Sequence, residues 1–197
     1  MQAHPEQPPS TYPATEPPIS WPDAVRTLAT TVAVFAVVGL AAGVVWWLLT
    51  DPPTYEVVAD PQGPAGSTSV VQGEEGLGEA FGVEVVFFAG ALVGGLVGGL
   101  ACAALFRTRG LVTLLSVMAG GAVACFVALR TGRWLGPADL MDQSTNASVG
   151  DVLTSPLGVE ATGFYLVWPI AAVAGLMVIV SMLTPVPDQS TSGPTVG

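Results

Sequence analysis

Charged side chains are scarce in this 197-residue chain. Only 10% of the residues are Asp, Glu, Lys or Arg, and lysine is missing altogether. A soluble domain carries roughly a quarter of charged residues, so this chain has too few to cover a water-facing surface. Fifteen carboxylates against five arginines give a net charge of −10. That balance argues against nucleic acid as a partner, because nucleic acid binds a cationic face.

Histidine and cysteine are also nearly absent. The one histidine, His4, lies in a proline-rich N-terminal segment, which argues against histidine-based catalysis, haem ligation or a zinc site. Cys102 and Cys125 fall in different apolar stretches, at depths that differ by roughly 15 Å, beyond the ~7 Å reach of a disulfide. Neither a nucleophile elbow nor a phosphate-binding loop occurs. The sequence therefore predicts no enzyme, no cofactor and no metal site.

Apolar residues make up 51% of the chain and cluster in four stretches. About 20 apolar residues in a helix cross the ~30 Å hydrocarbon core of a bilayer. We predict an all-α membrane protein, a four-helix bundle over residues 26–184. The predicted spans are 27–49, 85–106, 111–129 and 163–183, with acidic loops at 50–84 and 130–162. Proline-rich tails at 1–25 and 185–197 are predicted to be disordered and cytoplasmic.

The connections between the spans carry their own signals. In the first loop, β-favouring runs at Tyr55–Ala59 and Ser69–Gln72 flank Pro61–Pro64, which predicts a small β-hairpin. The second and third spans are joined by Arg107–Gly110 alone, which predicts a tight helical hairpin. The first loop carries no basic residue, so we expect the surface of this loop to be acidic.

The arginines and the large aromatic residues indicate how the chain crosses the membrane. With the N-terminus inside, Arg26, Arg107 and Arg109 are cytoplasmic, and only Arg130 and Arg133 lie outside, as the positive-inside rule favours. We therefore expect a multi-pass plasma-membrane protein with both termini in the cytoplasm. The large aromatic residues are then expected to form one outer belt: Trp46, Trp47, Trp134, Tyr165 and Trp168.

Glycine forms the strongest internal pattern, in the second span. Gly90, Gly94 and Gly98 recur every four residues, and Gly95 and Gly99 lie beside them. These positions form a helix face without side chains, where another helix can approach closely. We predict that these five glycines are helix-packing residues. The sequence leaves open whether the partner is a helix of this bundle, a second copy of the chain or another subunit.

Two sets of charged residues border the spans. Glu74, Glu75, Glu79 and Glu84 group at the start of the second span, where we expect a solvated acidic face at a helix N-terminus rather than a calcium site.

Arg130 and Arg133 lie three residues apart, and Asp139 follows a Gly-Pro turn. We predict that Asp139 folds back to form an ion pair with one of these arginines and so fixes the second loop. In that case, Asp139→Asn should destabilise the protein. The alternative is that the two arginines hold a lipid phosphate.

The order of several short motifs resembles a known family. The most specific of them is Arg130-x-Gly132-x-x-Leu135-Gly136-Pro137-x-Asp139. The others are Trp46-Trp47, Pro53-x-Tyr55-x-Val57, Gly73-Glu74-Glu75, Phe81, the glycine-rich span, Arg109-Gly110 and Leu166-x-Trp168-Pro169-x-x-Ala172. Residues 30 to 183 thus resemble the uncharacterised actinobacterial four-helix membrane proteins named DUF2567. The resemblance implies a bacterial plasma-membrane location and four spans, and brings no activity with it.

No predicted span has an ionisable residue between its ends, which argues against coupled transport, since proton and ion pathways use such residues. We therefore expect a non-enzymatic structural or accessory subunit of the cell envelope, or a small homo-oligomer. The bilayer would surround it, and the acidic loops would form its contact surface. The alternative is a small transporter, channel or lipid-handling protein that uses the glycine-lined second helix.

Overall fold

A computed structural model describes residues 20–64, 66–106 and 110–183 of the chain. Most of both predicted tails and the predicted turn at Arg107 and Arg109 lie outside these residues. The described elements, in chain order, are α1 (Trp21–Leu49), β1 (Thr54–Ala59), β2 (Thr68–Val71), α2 (Glu74–Leu105), α3 (Gly110–Leu135), α4 (Leu140–Ser144), β3 (Val152–Thr154), a 3₁₀ turn (Thr162–Leu166) and α5 (Val167–Leu183).

Four helices, α1, α2, α3 and α5, are long and apolar enough to cross a membrane, which confirms the predicted fold class. α1 has 29 residues and α2 has 32. At 1.5 Å per residue they are about 44 and 48 Å long, so both extend beyond a ~30 Å hydrocarbon core. The chain is therefore a multi-pass membrane protein whose longest helices project from the bilayer.

The helices begin or end at residues that differ from the edges of the predicted spans. α1 begins at Trp21, inside the segment that we assigned to the disordered tail, because Pro22 occupies the first helical turn, where its missing N–H is no loss. α2 begins at Glu74, about three turns before the predicted span, and α3 continues to Leu135. The apolar stretches thus predicted the membrane crossing but not the polar turns that continue it.

The bundle is built from two pairs of parallel helices. α1 packs chiefly on α3, and α2 packs chiefly on α5. In the first pair, Gly39 contacts Ala124 and Gly43 contacts Ala128, so the two helices run in the same direction. α2 and α3 are consecutive in sequence, yet they touch far less than the parallel pairs do. Their small-residue faces point towards α5 and α1 instead. The predicted tight turn between α2 and α3 includes residues outside the described part of the chain, so the hairpin stays a prediction.

A small sheet lies at one end of the bundle. β1 pairs with β2 in the predicted antiparallel hairpin, with Val58 opposite Ser69. On its other side, β1 pairs with β3, with Tyr55 opposite Leu153. The third strand, which the sequence did not predict, comes from the second loop. The sheet therefore joins the two long loops into one unit.

The segment after β3 covers the same end of the bundle. Leu157 is fully buried and Val159 nearly so, and the Tyr165 hydroxyl donates a hydrogen bond to the Val159 carbonyl over 2.8 Å. A 3₁₀ turn then leads into α5. We call the three strands, α4 and residues 155–166 together the cap.

Candidate functional site

Two of the predicted packing glycines bring α2 and α5 into backbone contact. A Cβ atom on Gly95 would lie 2.7 Å from the Ala171 Cβ and 2.9 Å from the Trp168 carbonyl oxygen. A Cβ atom on Gly99 would overlap the Ala172 carbonyl group. Only glycine fits at these two positions. The resulting close approach allows dense van der Waals contact. In lipid, where no hydrophobic driving force acts between helices, such contact is a main source of helix association.

Two further glycines of α2 make room for aromatic rings. Phe35 of α1 is fully buried, and its ring lies between Gly98 of α2 and Gly120 of α3. A Cβ atom on either glycine would lie 2.6 Å from a ring carbon. Gly94 faces the ring of Trp168 in the same way, at 2.9 Å. The glycine face of α2 is thus filled by rings and backbone from the chain's own helices.

Gly90 differs from the other four predicted packing residues. A Cβ atom placed on it would meet nothing within 4 Å. The four-residue spacing places it in line with Gly94 and Gly98, but no atom of a neighbouring helix lies against it. Four of the five glycines therefore lie against this bundle, and the fifth faces open space.

Two tryptophans expected in the aromatic belt lie inside the bundle. Trp46 is 2% exposed, and its Nε1 donates a hydrogen bond to the Val83 carbonyl over 2.8 Å. Its ring lies on Gly132 and meets Phe87 edge-on at 5.1 Å. Trp168 is 1% exposed. The belt prediction is wrong for both residues, because glycines on the facing helices leave space for their rings.

Asp139 and the two arginines do not form the predicted ion pair in the described structure. The Asp139 carboxylate instead accepts a hydrogen bond from the Met141 N–H over 3.1 Å, as the N-cap of α4. The Arg130 guanidinium lies over the ring of Phe126 at 5.2 Å. Arg133 approaches the backbone of Gly158. Asp139 therefore caps α4 within the second loop and does not tie the loop to an arginine.

Two carboxylates of α2 bind the cap to the bundle. Glu79 accepts hydrogen bonds from the Thr54 N–H and hydroxyl, over 3.1 and 3.3 Å. Glu84 accepts from the N–H groups of Glu160 and Ala161, over 3.0 and 3.2 Å. These residues are more than the solvated acidic face that the sequence predicted, because each holds the backbone of one loop. Charged hydrogen bonds of this kind are stronger than neutral ones.

The cap and α2 enclose a cleft of about 310 Å³, which we call the cap cleft. Its walls combine aromatic and aliphatic side chains with carboxylates. The residues that define it are Pro53, Tyr55, Leu77, Phe81, Glu84 and Glu160. The sequence did not reveal this cleft, because its residues come from β1, from α2 and from the segment after β3. Among residues 20–64, 66–106 and 110–183, no three His, Cys, Asp or Glu side chains converge as a metal site would require.

A second cavity, of about 470 Å³, lies at the opposite end of the bundle between α2, α3 and α5. Its walls are chiefly apolar, and Thr113 provides the one hydroxyl group among the described residues that line it. We call this space the apolar cavity. The residues that enclose it include Ala103, Leu111, Leu114, Leu176 and Ile179.

Fold and contacts together define a multi-pass membrane protein of four helices, with a small β-sheet cap at one end. Compared with models of known protein families, with curated proteins and with solved structures, the chain matches none. The resemblance to DUF2567 stays a prediction from the sequence.

Proposed function

We propose that this protein is a non-enzymatic structural or accessory subunit of a bacterial envelope assembly, or a small homo-oligomer, and that the cap is its contact surface. The observation that carries the proposal is the way the cap is held. Glu79 binds the first loop, Glu84 binds the second, and β1 pairs with strands from both. A surface fixed before binding loses little conformational freedom when a partner docks.

The charge of the cap and of the segments that adjoin it supports the same proposal. The two loops and the start of α2, residues 50–84 and 130–162, carry eleven carboxylates and two arginines. Such an excess of one sign attracts partners of the opposite sign and rejects others. We therefore propose that the partner presents a basic surface to the cap.

We propose a plasma-membrane location, with both termini in the cytoplasm and the cap outside. Arg26 near the start of α1 supports this orientation, as does the acidic cap, which is unfavourable beside the anionic cytoplasmic leaflet. The test is a Thr145→Cys variant treated in intact cells with a membrane-impermeant maleimide. We expect labelling, since Thr145 is exposed and both native cysteines are buried. Labelling only after lysis would reverse the orientation.

We also propose that the chain belongs to the actinobacterial family DUF2567. The support is the motif from Arg130 to Asp139, in which the structure gives a role to three residues. Gly132 makes room for the ring of Trp46, Gly136 lies against Leu157, and Asp139 caps α4. A profile built from the family should require glycine at position 132 and a capping residue at 139. Free variation at both positions would contradict membership.

Purification from native membranes in mild detergent tests the accessory role. We expect a second polypeptide, or a second copy of the chain, to remain bound through washing and size-exclusion chromatography with light scattering. The matched control is a cap variant, Glu79→Ala with Glu84→Ala, which loosens the cap and should release the partner. A chain that is monomeric and alone under all mild conditions would contradict the proposal.

A lipid-handling role is the second candidate, and the apolar cavity favours it. Gly94, Gly95, Gly98 and Gly99 lie against the chain's own helices, so a lipid chain would use this cavity rather than the glycine face. Native mass spectrometry should then detect a bound lipid that Leu114→Trp displaces. Val93→Trp, at an exposed position outside the cavity, is the control. Equal lipid retention in both variants would remove this candidate.

A further inference from the structure

We propose that the cap cleft binds a single lysine or arginine side chain from a partner subunit. This inference rests on the proposed accessory function and names where and how the partner is recognised. The cleft measures about 310 Å³, at the small end of the range of ligand pockets in proteins. That space suits one long side chain and excludes a folded domain, so the partner would insert a residue rather than cover the cleft.

The two carboxylates of the cleft define the charge of its guest. Glu84 and Glu160 both line it. One oxygen of Glu84 accepts hydrogen bonds from two backbone N–H groups, which fixes the carboxylate in place and leaves its negative charge. Arg133 approaches Gly158 in the wall of the cleft, where its Nη2 would lie 3.9 Å from a Cβ atom. In the described part of the chain, neither glutamate forms a salt bridge with Arg133. A cation entering the cleft would therefore meet two negative groups.

Two aromatic rings select an organic cation. Tyr55 of β1 and Phe81 of α2 line the same cleft. Tyr55 is held in place by its pairing with Leu153, and Phe81 is 68% exposed. Ammonium and guanidinium groups are attracted to the faces of aromatic rings. Rings and carboxylates facing one space thus act together on a cationic side chain.

The remaining walls argue for a guest with an aliphatic stem. Pro53, Leu77 and Pro156 supply apolar surface beside the carboxylates. A calcium ion needs six or more oxygen ligands and usually several carboxylates, whereas the described residues of the cleft include only two, Glu84 and Glu160. Lysine and arginine place a methylene chain on apolar surface while their charged ends reach polar groups. Such a side chain matches both the apolar surface and the carboxylates of the cleft.

The absence of lysine from this chain makes the interaction testable in native membranes. A carbodiimide couples a carboxylate to an amine in direct contact, and no lysine side chain of this chain can supply that amine. We expect peptides in which Glu160 or Glu84 is joined to a lysine of another polypeptide. Co-purification in mild detergent covers an arginine guest, which the carbodiimide does not couple.

Matched variants assign the effect to the cleft. Glu160→Gln removes one charge from an exposed side chain and should weaken partner capture about fivefold. Phe81→Leu keeps apolar contact but removes the ring, and should weaken capture about threefold. Glu56→Gln removes the same charge from an exposed position outside the cleft and should leave capture unchanged. The melting temperature of each variant in detergent checks that it is folded.

The outcomes separate this inference from the accessory function. If wild type and Glu160→Gln capture the partner equally, the partner does not bind in the cap cleft, and the proposed accessory role is unaffected. If Glu160→Gln and Glu56→Gln lose partner capture equally, the partner is attracted by the overall negative charge of the cap. That result would also overturn binding in the cap cleft. A crosslink from Glu160 to an ethanolamine phospholipid would replace the protein partner with a lipid headgroup. No captured partner in any variant would overturn both proposals.

Discussion

Adding one methyl group at Gly98 should destabilise the bundle, because Phe35 already fills the space. The Cβ of alanine at position 98 would lie 2.6 Å from one carbon of the Phe35 ring and 2.8 Å from another. The ring has little room to retreat, because Gly120 lies on its other side, where a Cβ atom would be only 2.6 Å from a ring carbon. The substitution Gly98→Ala therefore forces the helices apart or turns the ring away from its preferred angle.

The matched control lies on the same helix. Gly90→Ala makes the same chemical change where a Cβ meets nothing within 4 Å. Both variants gain about 1 kcal/mol of helix propensity, so the difference between them isolates the contact. Overpacking a filled core costs about 1 to 3 kcal/mol. For a domain of this size, 1 kcal/mol corresponds to about 2 to 4 °C, so Gly98→Ala should melt about 2 to 12 °C below Gly90→Ala.

Thermal unfolding in detergent, followed by the fluorescence of the five tryptophans, measures this difference. Adding Phe35→Leu to Gly98→Ala should recover part of the loss, since residues in contact couple in a double-mutant cycle. If Gly98→Ala melts no lower than Gly90→Ala, the ring does not fill the space between α2 and α3, and the packing argument fails.

Three further variants test other contacts. Trp46→Phe removes the donor to a buried carbonyl and should lower the unfolding free energy by about 1 kcal/mol. The control Trp134→Phe, at an 84% exposed position, should leave it unchanged, and equal melting temperatures in the two variants would refute the role of this hydrogen bond. Asp139→Asn keeps the N-cap and should leave stability unchanged, while Asp139→Ala should lower it by about 1 kcal/mol; a loss with asparagine would favour the ion pair instead. Glu84→Ala should speed hydrogen exchange at residues 160 and 161, Glu56→Ala should not, and equal exchange rates would count against the cap contact.

Hydropathy and turn chemistry predicted much of the fold. Twenty-residue apolar stretches are specific to membrane crossing, and the Pro-rich turn between two β-favouring runs predicted the β1–β2 hairpin. The third strand, Val152–Thr154, has only three residues. A run that short carries no readable period of its own and becomes a strand only because β1 offers a free edge.

Pairing inside the membrane could not be predicted in the same way. In lipid, a side that faces a neighbouring helix and a side that faces acyl chains are both apolar, so the pattern does not reveal that α1 prefers α3. Trp46 and Trp168 have the chemistry of interfacial residues. Their burial depends on glycines at positions 132 and 94, more than 70 residues away in sequence. The cap cleft likewise depends on tertiary contacts between three separate segments.

The parallel pairing of helices bears on the order in which the protein is made. The first two membrane helices each pack chiefly on a helix that is synthesised later: α1 on α3, and α2 on α5. When only α1 and α2 of a nascent chain have been inserted, the glycine-bearing faces of both helices therefore still lack the helices on which they chiefly pack. The second pair cannot close until α5 leaves the ribosome. Insertion of α5, rather than of the earlier segments, is therefore the step that completes the packing of the bundle.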